Sequence, residues 1–174
     1  MSIAAFVPRC FQAAALATAL VAGGCSTTQT SPPSPSAADS LLVGTWRLVS
    51  FEMEVQDKPD RIFPMGRSPV GYLSFMPDGR MAVVITAEGR KPPTSDPERA
   101  ALYSSMVAYA GRFRIEGEKW VTIVEASANP AWVNTEQPRA FKIAGDTLQE
   151  TTPWFPRATD KIMIRVVNTY ARVK

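Results

Sequence analysis

Strand-like segments in this chain are joined alternately by very tight and very long connections. Pro77-Asp78-Gly79-Arg80, Glu116-Gly117-Glu118 and Ala144-Gly145-Asp146 each link two β-rich runs. The stretches 54–70, 88–106, 127–137 and 153–160 are far longer and carry most of the prolines beyond residue 40. If consecutive strands pair antiparallel, every tight turn falls at one end of the sheet and every long loop at the other. The result is a cup with a closed floor and an open mouth. That outlines a ligand site without naming a ligand.

The strands themselves follow from β-branched and aromatic runs bounded by turn residues. The first opens at Gly44-Thr45-Trp46 and runs to about Met53. The second covers 71–76 and the third 81–86. Two more hairpins pair 108–115 with 119–126 and 138–143 with 147–152, and the last strand spans about 161–172. This is an all-β pattern of eight antiparallel strands, the number at which an up-and-down barrel has room for one small ligand. One short helix is expected around 96–106, near the mouth. Either Ser95 with Glu98 forms a capping box, or Asp96 caps it with Pro97 in the first turn.

Composition narrows the chemistry. The 174 residues include no histidine, which excludes Ser-His-Asp and Cys-His catalysis and His-ligated metals. The two cysteines, Cys10 and Cys25, both precede the strand-rich region, so that region has neither a disulfide nor a thiol nucleophile. No metal site, phosphate loop or dinucleotide fingerprint is present, and no cofactor is expected. The net charge is +3 with the two signs interleaved, and no basic run favours nucleic acid.

The N-terminus reads as a targeting segment. Arg9 precedes a mostly apolar stretch at 10–22, too short to span a bilayer. Ala22-Gly23-Gly24-Cys25 then resembles the lipobox of bacterial lipoproteins, which implies removal of 1–24 and lipidation of Cys25. Cleavage of an ordinary signal peptide at a nearby small residue is the alternative. Ser26 stands where an Asp would favour inner-membrane retention in that family, so the expected location is the cell envelope, at the outer membrane facing the periplasm. Residues 26–40 (STTQTSPPSPSAADS) lack apolar periodicity and read as a spacer between Cys25 and a single domain at 41–174.

Alternation along each strand assigns faces. Tyr109 shares a face with Phe113 and Ile115, Arg139 with Phe141 and Ile143, and Leu148 with Glu150. Glu125 shares its face with Val121 and Ile123, although Trp120 and Val124 make the other face apolar too. Tyr72 opposes Leu73 and Phe75 on an equally ambiguous strand. With chain direction added, Glu125, Arg139 and Glu150 are expected at the open end on adjacent strands, joined there by Tyr72 and Tyr109. Trp132 and Trp154 sit in mouth loops, as lids or as anchors. An Arg between two acids either satisfies itself as a structural network or fixes the polar end of a greasy ligand. A register error of one residue would instead turn all three to solvent.

Several of these residues, in order, resemble a known group. Gly44-Thr45-Trp46 resembles the Gly-x-Trp signature of lipocalins, whose Trp packs at the closed end of the barrel. Gly71-Tyr72-Leu73-Ser74-Phe75 with its Pro-Asp-Gly turn is similar to the bacterial and fungal lipocalin-like domain family. So are Tyr109-Ala110-Gly111-Arg112-Phe113, Asn129-Pro130-Ala131-Trp132, Gln137-Pro138-Arg139, Leu148 and Thr151-Thr152-Pro153. The resemblance implies a lipocalin-like barrel binding small hydrophobic or amphipathic molecules. Here Trp46, Phe113 and Phe141 would form the apolar wall, and Tyr72, Tyr109, Glu125, Trp132, Arg139 and Glu150 the ligand contacts. Two other functions stay open: a cofactor-free isomerase, cyclase or lyase using Glu125 or Glu150 as acid/base, and an envelope scaffold docking through the mouth loops.

Overall fold

The computed structural model describes residues 41–174; the targeting segment, Cys25 and the spacer lie outside them. The strands are β1 (Gly44–Val55), β2 (Val70–Phe75), β3 (Arg80–Thr86), β4 (Met106–Glu116), β5 (Lys119–Ser127), β6 (Glu136–Ala144), β7 (Thr147–Thr151), β8 (Phe155–Pro156) and β9 (Met163–Arg172). They form one sheet in the order β1-β2-β3-β4-β5-β6-β7-β9-β8, and β1 also pairs with β9. The ring is therefore closed by β1–β7 and β9, all neighbours antiparallel, with β8 a two-residue addition to β9. Closure leaves the barrel without free edges, and it is complete within Gly44–Arg172, so this segment carries its own core.

The tight turns gather at the floor. Gly117 and Gly145 open two-residue hairpin turns at φ 61° and 58°, a left-handed conformation that glycine adopts without steric cost. Trp46 lies buried at this end, its Nε1 donating to Leu42 O at 2.8 Å. The Arg172 guanidinium stacks over the Trp46 ring at 4.0 Å. Its Nη1 donates to Val43 O at 3.0 Å and its Nη2 to Leu41 O at 2.6 Å. One side chain thus covers the aromatic plug and holds the incoming chain across it.

Above this plug the lower barrel is solid aromatic core. Phe75 meets Phe113 edge-on at 4.9 Å and Trp120 at 5.1 Å, and Trp120 packs on Phe141 at 5.4 Å. Phe113 and Phe141 therefore belong to this packed half, as Trp46 does, and not to the wall of a cavity. Edge-to-face pairs of this kind add about 1 kcal/mol each beyond the area they bury.

The mouth carries the helix α1 (Asp96–Ser104). Ser95 is its N-cap, its side chain accepting from Glu98 N at 3.4 Å, while Glu98 Oε2 accepts from Thr94 N at 2.6 Å. Asp96 lies in the first turn, paired with Arg99 at 2.5 Å. The helix is shorter than expected because Met106 is already paired with Thr86 in the sheet. Tyr103 OH donates to Ala128 O and ties the helix to the β5–β6 loop.

Candidate functional site

A cavity of about 340 Å³ occupies the upper barrel. Its walls are apolar: Phe51 from β1, Val83 and Ile85 from β3, Val107 from β4 and Val166 from β9. Trp132 and Pro153 from the mouth loops and Phe155 from β8 form its rim. Asn129-Pro130 places Trp132. The Asn129 side chain accepts from Ala131 N at 3.1 Å, caps the 3-10 turn Pro130–Trp132, and so sets the indole edge-on to the Tyr109 ring at 5.8 Å.

Arg139, Glu150, Tyr109 and Asn168 reach the cavity as its polar groups, with Gln137. Arg139 Nε stands 3.8 Å from Glu150 Oε2, and their side chains are only 11% and 7% exposed. Arg139 Nη1 donates to the carbonyl of Pro138 at 2.8 Å. Glu150 Oε1 accepts from Asn168 Nδ2 at 2.6 Å and from Tyr170 OH at 2.9 Å. Burial, with the Glu150 charge adding to it, holds the Tyr170 phenol well above its ordinary pKa. Burial likewise raises Tyr109, with Glu150 reinforcing and Arg139 opposing the shift. Burial works against the charge of Arg139, yet the neighbouring Tyr109 and Glu150 oxygens outweigh it and its pKa is raised. The group can hold a polar ligand atom by hydrogen bonds inside an otherwise greasy chamber.

These polar groups do not sit at the rim where strand counting puts them. Arg139 pairs across the sheet with Trp120, which is fully buried and lies one residue past the Glu116–Lys119 pair that closes the β4–β5 turn. Barrel strands are tilted and staggered, so position along a strand is not depth. Arg139 and Glu150 consequently mark the inner end of the cavity.

Two expected residues point the other way. Tyr72 is 48% exposed on the outer face, because Leu73 and Phe75 take the inner face of β2. Glu125 is also outside, its side chain 43% exposed and paired with Arg112 at 3.2 Å and Arg80 at 3.3 Å. Strand β5 buries Trp120, Thr122 and Val124 inward, the face opposite to the one Glu125 shares with Ile123. A bulge completes the displacement: Ala110 pairs with Ala126 and Gly111 with Val124, leaving Glu125 as the extra residue. Both faces of β5 are apolar, and the large Trp120 ring decides which one fills the barrel. Trp154 lies outside as well, beneath the Arg165 guanidinium at 4.8 Å.

The structure thus brings Tyr109, Trp132, Arg139 and Glu150 together and sends Tyr72 and Glu125 to the outer surface. It adds Asn168 and Tyr170, to which the sequence reading assigned no role. The signal was available: Ile164, Val166, Asn168 and Tyr170 alternate on one face, placing an amide and a phenol among the core residues.

No curated protein matches this chain. The family model described as a lipocalin-like domain matches residues 43–170, from the residue before β1 to within two residues of the end of the closing strand β9. With the closed antiparallel barrel and the Trp plug at its floor, this chain belongs to the lipocalin-like domain family.

Proposed function

We propose that this protein binds a small amphipathic molecule inside its barrel and does so at the cell envelope, tethered through a lipid on Cys25 at the outer membrane and facing the periplasm. The observation that carries the binding reading is a cavity of about 340 Å³ with apolar walls and a buried Arg139–Glu150 pair at its inner end. Small-molecule sites are built in this way, with greasy enclosure for affinity and a few polar groups for orientation. The lipocalin-like barrel supports it as a small-ligand-binding fold. The anchor and location rest on the short apolar stretch at 10–22 followed by Gly23-Gly24-Cys25 and a Ser/Thr/Pro-rich spacer. Of the two carboxylates named for acid/base chemistry, Glu125 pairs with Arg80 and Arg112 on the outer surface and Glu150 alone reaches the cavity.

The test is to express residues 41–174 in the envelope of the native host and record native, then denaturing, mass spectra with extraction. A reproducible co-purifying small molecule supports the reading and gives its class. An empty barrel whose melting temperature responds to no lipid or aromatic acid refutes it. Metabolic labelling with a fatty acid, lost in Cys25→Ser, tests the anchor, and membrane fractionation tests the location.

A further inference from the structure

Building on the reading of the barrel as a small-molecule binder, we propose that its ligand is an organic monocarboxylate with an apolar body. Arg139 takes the carboxylate at the inner end of the cavity, and the body lies among Phe51, Ile85, Val107, Trp132 and Val166.

The argument rests on how unequally the two buried charges are served. Glu150 accepts two hydrogen bonds on Oε1, from Asn168 Nδ2 at 2.6 Å and Tyr170 OH at 2.9 Å, and its Oε2 faces Arg139 at 3.8 Å. Arg139 is served less well. A guanidinium carries five N–H donors in a planar fork. This one donates to Pro138 O at 2.8 Å and has the Tyr109 phenol oxygen within hydrogen-bonding reach, and its approach to Glu150, at 3.8 Å, is too long for another. Its side chain is 11% exposed and lines the cavity. A buried cation with most of its donors uncommitted is costly until acceptors reach it. A carboxylate matches the fork in charge and in its pair of oxygens. The phenol of Tyr109, in the same lining, stands close enough to feel both charges and completes a donor-rich end.

Competing ligand classes fit less well. A cationic head would be repelled by Arg139, which stands 3.8 Å from Oε2, the Glu150 oxygen that carries no hydrogen bond. A neutral hydroxyl or carbonyl would gain a weaker bond from the same donors. Size narrows the body: at ~30 Å³ per water-sized group, about 340 Å³ holds about 11 such groups. A medium-chain or bicyclic acid fits that space, whereas a long-chain fatty acid would leave much of its tail outside.

The experiment uses residues 41–174 and displacement of the neutral fluorophore N-phenyl-1-naphthylamine by decanoate, 1-decanol and decylamine, three ligands that differ only in the head group. Decanoate should displace the probe at about tenfold lower concentration than the alcohol or the amine, the ratio expected of one charge-assisted contact to a buried guanidinium. Arg139→Met should abolish that preference, bringing decanoate to the level of decanol or weaker, and Arg139→Lys should keep part of it. Equal or better displacement by decanol or decylamine overturns the proposal, as does a preference that survives Arg139→Met. Because the preference is read first on the unsubstituted chain, the proposal stands or falls even if a variant does not fold. A separate control addresses the reading beneath it. Val107→Trp fills the cavity and should abolish probe binding. A probe that never binds, or that binds this variant equally well, defeats the binder reading itself and the carboxylate with it.

Discussion

Gly111→Ala should strongly destabilise this barrel although it adds one methyl group. Gly111 lies on the inner face of β4 at the bulge, opposite Val124. A Cβ built there falls 2.0 Å from the carbonyl oxygen of Ile123, 2.9 Å from its carbonyl carbon and 3.0 Å from Glu125 N. All three are backbone atoms, so no rotamer change relieves the overlap. Restoring a contact of 3.4 Å means moving β5 away by 1.4 Å (3.4 − 2.0). The other edge of β5 resists that shift, because Val124 N donates to Thr135 O at 3.0 Å and Val124 O accepts from Asn134 N at 2.9 Å. Losing two or three buried backbone hydrogen bonds at about 2 kcal/mol each gives a cost of about 4–6 kcal/mol. Stiffening of the unfolded chain returns only about 0.5–1 kcal/mol. The net loss, roughly 4 kcal/mol, is a large part of the 5–15 kcal/mol stability typical of a domain. Urea denaturation of residues 41–174, followed by tryptophan fluorescence, measures it. A loss below about 1 kcal/mol would mean that β5 yields freely at the bulge, and the close-approach argument would be refuted.

Four further outcomes follow from the same geometry. Arg172→Ala should cost about 2–3 kcal/mol through the lost stack on Trp46 and two carbonyl contacts, and should red-shift the tryptophan emission, with Arg172→Lys intermediate. Tyr170→Phe should lower stability by about 2 kcal/mol in denaturant titrations by removing one of the two donors to Glu150 Oε1. On the β1–β9 flank, the Arg61 hydrogen bond chiefly depresses the Glu52 pKa. At Glu54 partial burial pushes upward, but the hydrogen bonds from Arg165 and Arg61 prevail. Because both folded pKa values lie below 4.5, their contribution is present above that pH and is lost as pH falls through the folded values. Glu52→Gln with Glu54→Gln should therefore flatten the acid limb of the stability–pH curve, and an unchanged limb would count against the network. Trp132→Ala should speed ligand release several-fold in stopped-flow measurements while leaving the melting transition close to its original position, since the ring closes the rim above Tyr109.

The agreement between sequence and structure is greatest where one local rule acts alone. Turn chemistry at Gly79, Gly117 and Gly145 predicted the floor, and Ser95 with Glu98 placed the helix start. Alternation oriented β6 and β7 correctly, because Lys142 and Gln149 are unambiguous solvent-facing residues that fix Arg139 and Glu150 as inward. The same rule failed at β5 and β2. There both faces carry apolar residues, so the pattern is degenerate, and a slip of one residue sends every side chain to the other side.

What the chain determines locally is therefore the count of strands, the end at which they turn, the helix cap and the inward course of Arg139, Glu150 and Tyr109. Turn propensity and period-two burial act over a few residues and are written there. Tertiary packing decided the rest. The Trp120 ring selects the face of β5, and the bulge opposite Gly111 ejects Glu125. Strand tilt carries Arg139 below the rim, and closure of β9 against β7 sets Asn168 and Tyr170 on Glu150. Each of these depends on residues distant in sequence meeting around a closed ring, a constraint that no window along the chain contains.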